Sequence, residues 1–417
     1  MTDSAYSPVI GRFLTYVTID TQSKDGVDSH PSSRGQIRLA QMIQAELEAF
    51  GLKDEIKLFN DGSFAVVLPA TAGLEKVPHV AFAAHLDTYF NFPGGATPIV
   101  HGPYSGGGIM LPNNNIIISD DDLSPFTGKR IITADGTTLL GGDDKAGVAS
   151  LVTMIENILT ANTPHGRLTF WFCVDEEIGQ LDVNLLPIEL VTSWDVLWTV
   201  DGEEIGTIDV GSFVCRKMEI TFTGMDAHPG VGGKNLKPAH YAAAAFIART
   251  ANERPLPMET SGLEGFIYCP GVTASASEAK IFCMPRYFDT ADSDDAAKDI
   301  IQIANDCAER FGVKVEIKDI PVTVNTRAAI DKALYLVSPG VIAHQKFCTH
   351  VTENDVRGGT DGGMINLMYP NLPAPNMGTG AKNLHGPLEF VVLEDLEQVP
   401  LILGEMISRY ASFQAEG

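Results

Sequence analysis

Acidic residues and histidines recur in this 417-residue chain where apolar segments end, the places at which a folded protein can hold a metal or a reacting group. His85 and Asp87 follow the apolar run 80–84 in the segment AFAAHLDT. Their spacing of two residues places both side chains on one face of a strand end, so the carboxylate can orient a metal-binding imidazole. A hydrogen-bonded turn is the alternative, and for so short a motif it is the more common one.

Two turns that contain glycine carry further carboxylates. Asp143 and Asp144 follow two glycines in LLGGDDKAG, and Asp201 lies where an apolar run meets a glycine in LWTVDGEE. Glycine lets the backbone turn sharply enough to present a carboxylate, whereas an Asp before a helix is also a favoured cap. The first turn therefore predicts either a metal ligand or a helix cap.

Three consecutive carboxylates, those of Asp175, Glu176 and Glu177, follow the apolar run FWFCV. Their mutual repulsion has to be offset, and a bound cation would offset it. Two adjacent glutamates can divide the work, because one can bind the metal while the other acts as general base. An exposed acidic turn is the alternative.

His385, in the turn NLHGP, completes a set of two histidines, two aspartates and one glutamate at strand ends and turns. Nitrogen and oxygen ligands without a thiolate suit zinc. One shared carboxylate would hold two ions about 3.5 to 4 Å apart, where a zinc pair can activate a water and polarise a carbonyl. The set therefore predicts a hydrolytic centre with two zinc ions.

The elements that would position these residues alternate between strand and helix. Short apolar runs at 80–84 and 168–174 read as strands, and the helical pattern at 145–159 lies between them. An amphipathic helix is predicted at 36–50, before Gly51. This alternation predicts an α/β fold with a mixed, largely parallel sheet between helices, and ligands gather at the carboxyl ends of such strands. The segment 89–130, rich in Gly, Pro, Asn and Asp, is predicted to be the longest irregular region.

A second domain is predicted at 212–322, inserted into a catalytic domain formed by 1–211 and 323–417. Its pattern spells β-α-β-β-α-β, which predicts a ferredoxin-like α+β domain of four strands and two helices. The predicted elements are strands at 216–223, 265–272, 279–286 and 313–320, and helices at 239–250 and 293–311.

Composition excludes several classes of function. The chain has 53 Asp and Glu against 29 Lys and Arg, a formal net charge of -24, so nucleic acid and anionic membranes are poor partners. Six scattered cysteines without a CxxC pair indicate buried free thiols in a reducing compartment. No export signal or membrane-spanning run is read from the sequence, and we expect a cytoplasmic protein.

The motifs HLDT, TADGTTLLGGDDKAG, DEE, VDG, HPG, RGGTDGG and HGP, in this order, resemble the peptidase T family. These are tripeptide aminopeptidases of the dizinc aminoacylase/carboxypeptidase-like superfamily, and the resemblance spans nearly the whole chain. It implies that His85 and Asp201 hold one zinc ion, that Glu177 and His385 hold the other, and that Asp143 bridges them. Cobalt or manganese can replace zinc in this expectation.

The resemblance also implies roles for residues around the metals. Glu176 would be the general base, Asp87 would orient His85, and the bond between Asp143 and Asp144 would be cis. His228 in DAHPG would contact the substrate, often donated by the second domain of a partner subunit, so a homodimer is expected. Two arginines would bind the carboxylate of a short peptide, since a guanidinium pairs with a carboxylate through two hydrogen bonds: Arg286 and Arg357.

Two departures from the family pattern concern the substrate. The family's Val-Asn-Ala after HPG is replaced by Lys237, Pro238 and Ala239, and Glu203 and Glu204 replace glycines after VDG. These changes can shift the preferred peptide length. A dizinc dipeptidase, carboxypeptidase or N-acyl-amino-acid deacylase is the nearest alternative function, and a non-catalytic peptide-binding scaffold is the alternative from another class.

Overall fold

The computed structural model describes residues 6–179 and 188–413. The chain divides into two compact units, the first formed by Met1–Val210, Ala328–Asn354 and Tyr369–Gly417, the second by Gly211–Arg327 and Asp355–Met368. The second unit contains the predicted insertion at 212–322 together with 355–368, which the sequence reading assigned to the first domain. The assignment of catalytic and lid roles to these parts stays a prediction.

Strands and helices are numbered along the chain. The strands are β1 (Ile56–Leu58), β2 (Phe64–Leu68), β3 (Val80–His85), β4 (Ile99–Pro103), β5 (Ile109–Met110), β6 (Ile117–Ile118), β7 (Arg130–Thr133), β8 (Leu168–Cys173), β9 (Val196–Gly202), β10 (Thr207–Ser212), β11 (Val214–Thr223), β12 (Phe266–Ala274), β13 (Glu278–Tyr287), β14 (Lys314–Thr323), β15 (Thr352–Val356), β16 (Asn376–Gly378), β17 (Ala381–Lys382) and β18 (Phe390–Val392). The helices are α1 (Pro8–Tyr16), α2 (Arg34–Ala49), α3 (Asp120–Leu123), α4 (Gly142–Ala161), α5 (Ile188–Val191), α6 (Ala239–Glu253), α7 (Thr290–Phe311), α8 (Arg327–Lys332), α9 (Leu334–Phe347), α10 (Asp361–Met368) and α11 (Leu393–Ala411).

The largest sheet has the spatial order β1-β2-β8-β3-β9-β16-β10-β15. Its centre is parallel, since β3 pairs in parallel with β8 and β9, and β16 pairs in parallel with β9. The flanking strand β2 is antiparallel to β8, and β10 is antiparallel to β16. Every residue of β3 and β8 is buried, which explains why these strands read as continuous apolar runs rather than alternating ones. The prediction of a mixed, largely parallel sheet is confirmed.

The second unit has its own sheet and core. Its strands lie in the order β12-β13-β11-β14, all antiparallel, and α6 and α7 pack against them. Along the chain these elements follow the predicted order β-α-β-β-α-β. Alternate residues of β13, such as Ile281 and Cys283, are buried, so one face of the sheet packs on the two helices.

The segment 89–130, which the sequence predicts to be the longest irregular region, contains short regular elements. The segment contains β4, β5, β6 and α3, and β4 pairs with β7. Gly102 and Pro103 give the sequence of β4 the composition of a loop, since both residue types are depleted in strands. The strands β5 and β6 have two residues each, too few for an alternating pattern to be read.

Across the residues described here, no helix combines the length and apolar character needed to cross a bilayer.

Replacing Gly340 by alanine should destabilise the first unit. A Cβ at this position of α9 would lie 2.2 Å from Cζ2 of Trp198, whose buried indole is held by a 2.9 Å hydrogen bond to the Tyr410 hydroxyl. We expect overpacking to cost about 1 to 3 kcal/mol, more than alanine's helical advantage of about 0.5 to 1 kcal/mol. Calorimetry should record a lower melting temperature.

Gly404→Ala is the matched control, because Gly404 also lies in a helix, α11. There the new Cβ would meet Met154 at an ordinary 3.6 Å. This variant should melt at or slightly above the wild-type temperature, since alanine restricts the unfolded chain. Equal melting temperatures for the two variants would contradict the packing argument.

Candidate metal centre

The first part of the centre is built at the carboxyl ends of two neighbouring parallel strands. His85 is the last residue of β3, and Asp201 lies at the end of β9. Parallel pairing brings these ends to one edge of the sheet, where Nε2 of His85 lies 3.4 Å from Oδ1 of Asp201. The His85 side chain is buried and that of Asp201 is largely so, with 15% exposed.

Asp143 joins this pair from the beginning of α4. Gly141, at φ +83°, precedes the helix in the left-handed region that favours glycine, and Asp143 and Asp144 have non-helical backbone angles. The peptide bond between the two aspartates is cis. Oδ1 of Asp143 lies 2.8 Å from Nε2 of His85, and its Oδ2 lies 3.0 Å from Nε2 of His385. The two oxygens of one carboxylate therefore face two different histidines.

The second part of the centre contains Glu177 and His385. Glu177 lies in the single 3-10 turn Glu176–Ile178 that follows β8, and its Oε2 is 3.1 Å from Nε2 of His385. His385 has a φ of +67° and a side chain that is 43% exposed. The ring of Tyr89 stacks on the imidazole, with centroids 4.2 Å apart and planes 5° from parallel. The imidazole is thus fixed by two carboxylates and an aromatic face.

The donor atoms fit a pair of divalent cations. Zinc bound to nitrogen and oxygen at 2.0 to 2.2 Å in a tetrahedron separates its ligand atoms by about 3.3 Å. The observed separations of 2.8 to 3.4 Å are close to that spacing. In addition, Oε1 of Glu177 is buried and has no hydrogen-bond partner among the described residues, as expected of an oxygen that binds a cation.

The electrostatics of the protein groups alone favour a positive charge at this point. Burial, together with the negative charge of Asp143, raises the pKa of Glu177 to about 8. Burial opposes protonation of His385, but its contacts with Asp143 and Glu177 outweigh burial and raise its pKa to about 11. At His85, the carboxylates of Asp201 and Asp143 likewise outweigh burial and raise the pKa well above its ordinary value. Bound cations would satisfy these carboxylates.

Asp87 connects the two parts of the centre. Its Oδ1 lies 3.3 Å from Nδ1 of His85, on the side of the ring that faces away from Asp143. The same carboxylate accepts hydrogen bonds from the backbone N–H groups of Glu176 and Glu177, both at 3.1 Å. One buried side chain therefore contacts a histidine and holds the turn that carries the two glutamates.

Asp144 lies beside His85 and Asp201 but is engaged elsewhere. Its Oδ2 accepts the backbone N–H of His85 and its Oδ1 accepts that of Gly147, both at 3.1 Å. The three side chains His85, Asp144 and Asp201 could still group around an ion. Because both oxygens of Asp144 already hold backbone groups, we assign it to support of the centre. Burial, then the charge of Asp201, raises the pKa of Asp144 well above its ordinary value.

Sequence reasoning missed Glu389, a buried carboxylate four residues after His385. It accepts backbone hydrogen bonds from Leu140 and Gly141 at 2.8 Å and from Asp143 at 3.1 Å, and so fixes the turn that presents Asp143. Burial raises the pKa of Glu389 to about 7 despite these hydrogen bonds. A single Glu before the apolar strand β18 was the available signal. Tyr89 was missed as well, because an aromatic residue in a loop carries no signal of stacking.

The three predicted substrate-binding residues lie in the second unit. His228 is exposed, and its Nδ1 accepts the N–H groups of Gly230 and Val231 at 3.2 and 3.3 Å. Arg286 is half-buried in β13. Arg357 lies over the ring of Phe266 and that of Phe213, and donates hydrogen bonds to Gly262 O and Thr260 Oγ1. Their binding roles stay predictions.

Residues 119–409 match the model of peptidase family M20/M25/M40. The chain belongs to this family. Among curated relatives, the peptidase T of Halothermothrix orenii is 32% identical over 97% of this chain and 99% of its own length. That of Geobacillus thermodenitrificans is 33% identical over 96% and 98%. The chain is therefore a metal-dependent peptidase of the M20/M25/M40 family.

Solved structures share the fold. The aminopeptidase PepT of Bacillus cereus superposes with a TM-score of 0.69 at 21% identity, covering 97% of this chain and 98% of that one. A tripeptidase of Staphylococcus aureus gives a TM-score of 0.73 at 20% identity and the same coverage. A Bacillus subtilis protein described as a dinuclear metal-binding peptidase of family M20 gives 0.62 at 14% identity, over 96% of each chain.

Removing the shared carboxylate should affect both metal positions. We expect wild-type protein to retain about two metal ions per chain after dialysis, Asp201→Ala about one, and Asp143→Ala fewer than one, as measured by inductively coupled plasma mass spectrometry. Asp121→Asn, which changes an exposed aspartate of α3, is the control and should keep the wild-type content. A folded Asp143→Ala protein with two tightly bound ions would contradict the bridging arrangement.

Proposed function

We propose that this chain is a tripeptide aminopeptidase that releases the N-terminal residue of short peptides. The observation that carries the proposal is Asp143, whose two oxygens lie 2.8 Å from Nε2 of His85 and 3.0 Å from Nε2 of His385. Glu177, in the turn after β8, lies 3.1 Å from the same nitrogen of His385. Identity of about 32% to proteins named peptidase T, over nearly the full length of both chains, supports the choice among peptidases.

Five residues would hold two zinc ions, with cobalt or manganese as alternatives. His85 and Asp201 would bind one ion, Glu177 and His385 the other, and Asp143 both. When bound, such a pair lowers the pKa of a water molecule towards neutrality and polarises the scissile carbonyl. The mixed nitrogen and oxygen donor set supports a borderline metal such as zinc.

Glu176 would act as general base and then as general acid. It lies next to Glu177 in the same 3-10 turn, and its backbone N–H is held by Asp87. In this proposal its carboxylate takes a proton from the attacking water and returns it to the leaving amine. Asp87 supports Glu176 and Glu177, because its carboxylate accepts the backbone N–H of each. The same carboxylate lies beside His85.

The second unit would bind the peptide. His228 would stabilise the oxyanion or contact the substrate carboxylate, and Arg286 and Arg357 would pair with the carboxylate of the peptide. The position of the Arg357 guanidinium over the Phe266 ring, 5.2 Å from its centroid, and its hydrogen bond to Gly262 O support a guanidinium held in place. A homodimer in the cytoplasm completes the proposal, because the resemblance implies that His228 serves a partner subunit.

Peptides of defined length and blocked ends test the reaction. The zinc-loaded chain should release the free N-terminal amino acid from a tripeptide, as followed by mass spectrometry, and should leave the N-acetylated tripeptide uncut. Dipeptides and tetrapeptides should react more slowly. Release of the C-terminal residue, or turnover confined to N-acyl amino acids, would sink the proposal. Complete inactivity of zinc-loaded protein would favour a peptide-binding scaffold.

Exchanging Glu176 and Glu177 separately distinguishes their roles. Glu176→Gln should keep its metal ions but lower kcat about 100- to 10,000-fold, the usual contribution of a positioned general base. Glu177→Gln should instead lose one ion and regain activity only at high metal concentration. Metal content and kcat are measured on the same samples. If Glu176→Gln kept near-normal kcat, another group would have to be the base.

A further inference from the structure

Two cysteines of the second unit lie next to each other and play no part in the proposed reaction. The Sγ atoms of Cys269 in β12 and Cys283 in β13 are 3.1 Å apart. The two strands are antiparallel neighbours, with Tyr268 opposite Met284 and Gly271 opposite Phe282. The regular register breaks between Tyr268 and Gly271, so Cys269 lies at a bulge that faces Cys283.

The geometry suits a covalent bond between the two sulfurs. Neighbouring strands of a sheet lie about 4.7 to 4.9 Å apart, and disulfides join residues whose Cα atoms are about 4.4 to 6.8 Å apart. The sulfurs need to approach by only about 1 Å to reach the bond length of about 2.05 Å. Rotation of the two side chains can supply this movement without breaking the sheet.

Cys269 and Cys283 differ in access. Cys269 is partly exposed and lies in β12, an edge strand of the sheet, whereas Cys283 is buried in the core between the sheet and its helices. Cys269 is therefore the thiol that a small oxidant reaches first. Its pKa is lowered by the hydrogen bond with Cys283, which favours the reactive thiolate at this position.

The prediction of six buried thiols is wrong for Cys269 and for Cys348.

We propose that Cys269 and Cys283 form a reversible intramolecular disulfide when the folded protein meets hydrogen peroxide. The Cys269 thiolate attacks one oxygen of the peroxide, the O–O bond breaks, and a sulfenic acid forms. The departing hydroxide takes up the proton that the Cys269 thiol released and leaves as one water. The sulfur of Cys283 then attacks the sulfur of Cys269, the S–O bond breaks, and the hydroxide leaves with the Cys283 proton as a second water. The two thiols lose two protons and two electrons, and the peroxide is reduced to two waters.

Tryptic mapping tests the pairing directly, because Lys280 lies between the two cysteines. Reduced, metal-loaded wild-type protein is treated with hydrogen peroxide under native conditions, denatured in iodoacetamide, and digested without reductant. We expect peptides 250–280 and 281–286 to be joined, with a mass lower than their sum by two hydrogen atoms. Dithiothreitol should restore both as separate, alkylatable peptides.

Three variants make the test selective. Cys269→Ser should leave Cys283 alkylated after peroxide treatment, and Cys283→Ser should leave Cys269 oxidised to acids without a linked peptide. Cys348→Ser, which removes the other partly exposed thiol, should form the link at the wild-type rate. The proposal is overturned if wild-type Cys269 and Cys283 are both alkylated, if Cys269 is overoxidised beside an alkylated Cys283, or if either pairs with another cysteine. None of these readouts depends on peptidase activity.

Discussion

The carboxylate of Asp143 is the constraint on which the candidate metal centre depends. Each of its oxygens contacts a different histidine, and these two histidines, His85 and His385, are 300 positions apart in the chain. A carboxylate can do this only if its backbone is held in a fixed orientation. Glu389 fixes this orientation, because its carboxylate accepts hydrogen bonds from the backbone N–H groups of Leu140, Gly141 and Asp143.

Close packing of α4 against β9 brings the Asp143 carboxylate next to the end of the sheet. The N-terminal part of the helix approaches β9 so closely that a Cβ on Gly147 would lie 2.0 Å from the carbonyl oxygen of Val200. Glycine at this position therefore lets the helix lie directly beside the strand that carries Asp201. The motif GGDDKAG thus encodes two requirements, a left-handed turn at Gly141 and a close approach at Gly147. Neither requirement involves a metal ligand.

The sequence predicted the fold, and which candidate side chains lie close together, better than it predicted how these side chains are held in place. Buried parallel strands read as apolar runs, so the positions at their ends, including His85 and Asp201, could be marked as candidates by local pattern, and the complete set of motifs then joined them into one site. Glu389 and Tyr89 could not, because their contacts depend on distant segments. The proximity of Cys269 and Cys283 depends on a bulge, which changes the register without leaving a periodic signal.

The acidic turn after β8 shows why adjacency in sequence does not imply a shared role. Asp175 has a φ of +59°, and its buried carboxylate turns away to accept hydrogen bonds from Ser32 and the Gln36 side chain. Glu177 instead faces His385. The left-handed backbone at Asp175 therefore directs its carboxylate away from that of Glu177, which reduces the repulsion within this acidic turn. Asp175 ties the turn to the beginning of α2, and the two glutamates that follow it are those assigned to the metals and the water in the proposed function.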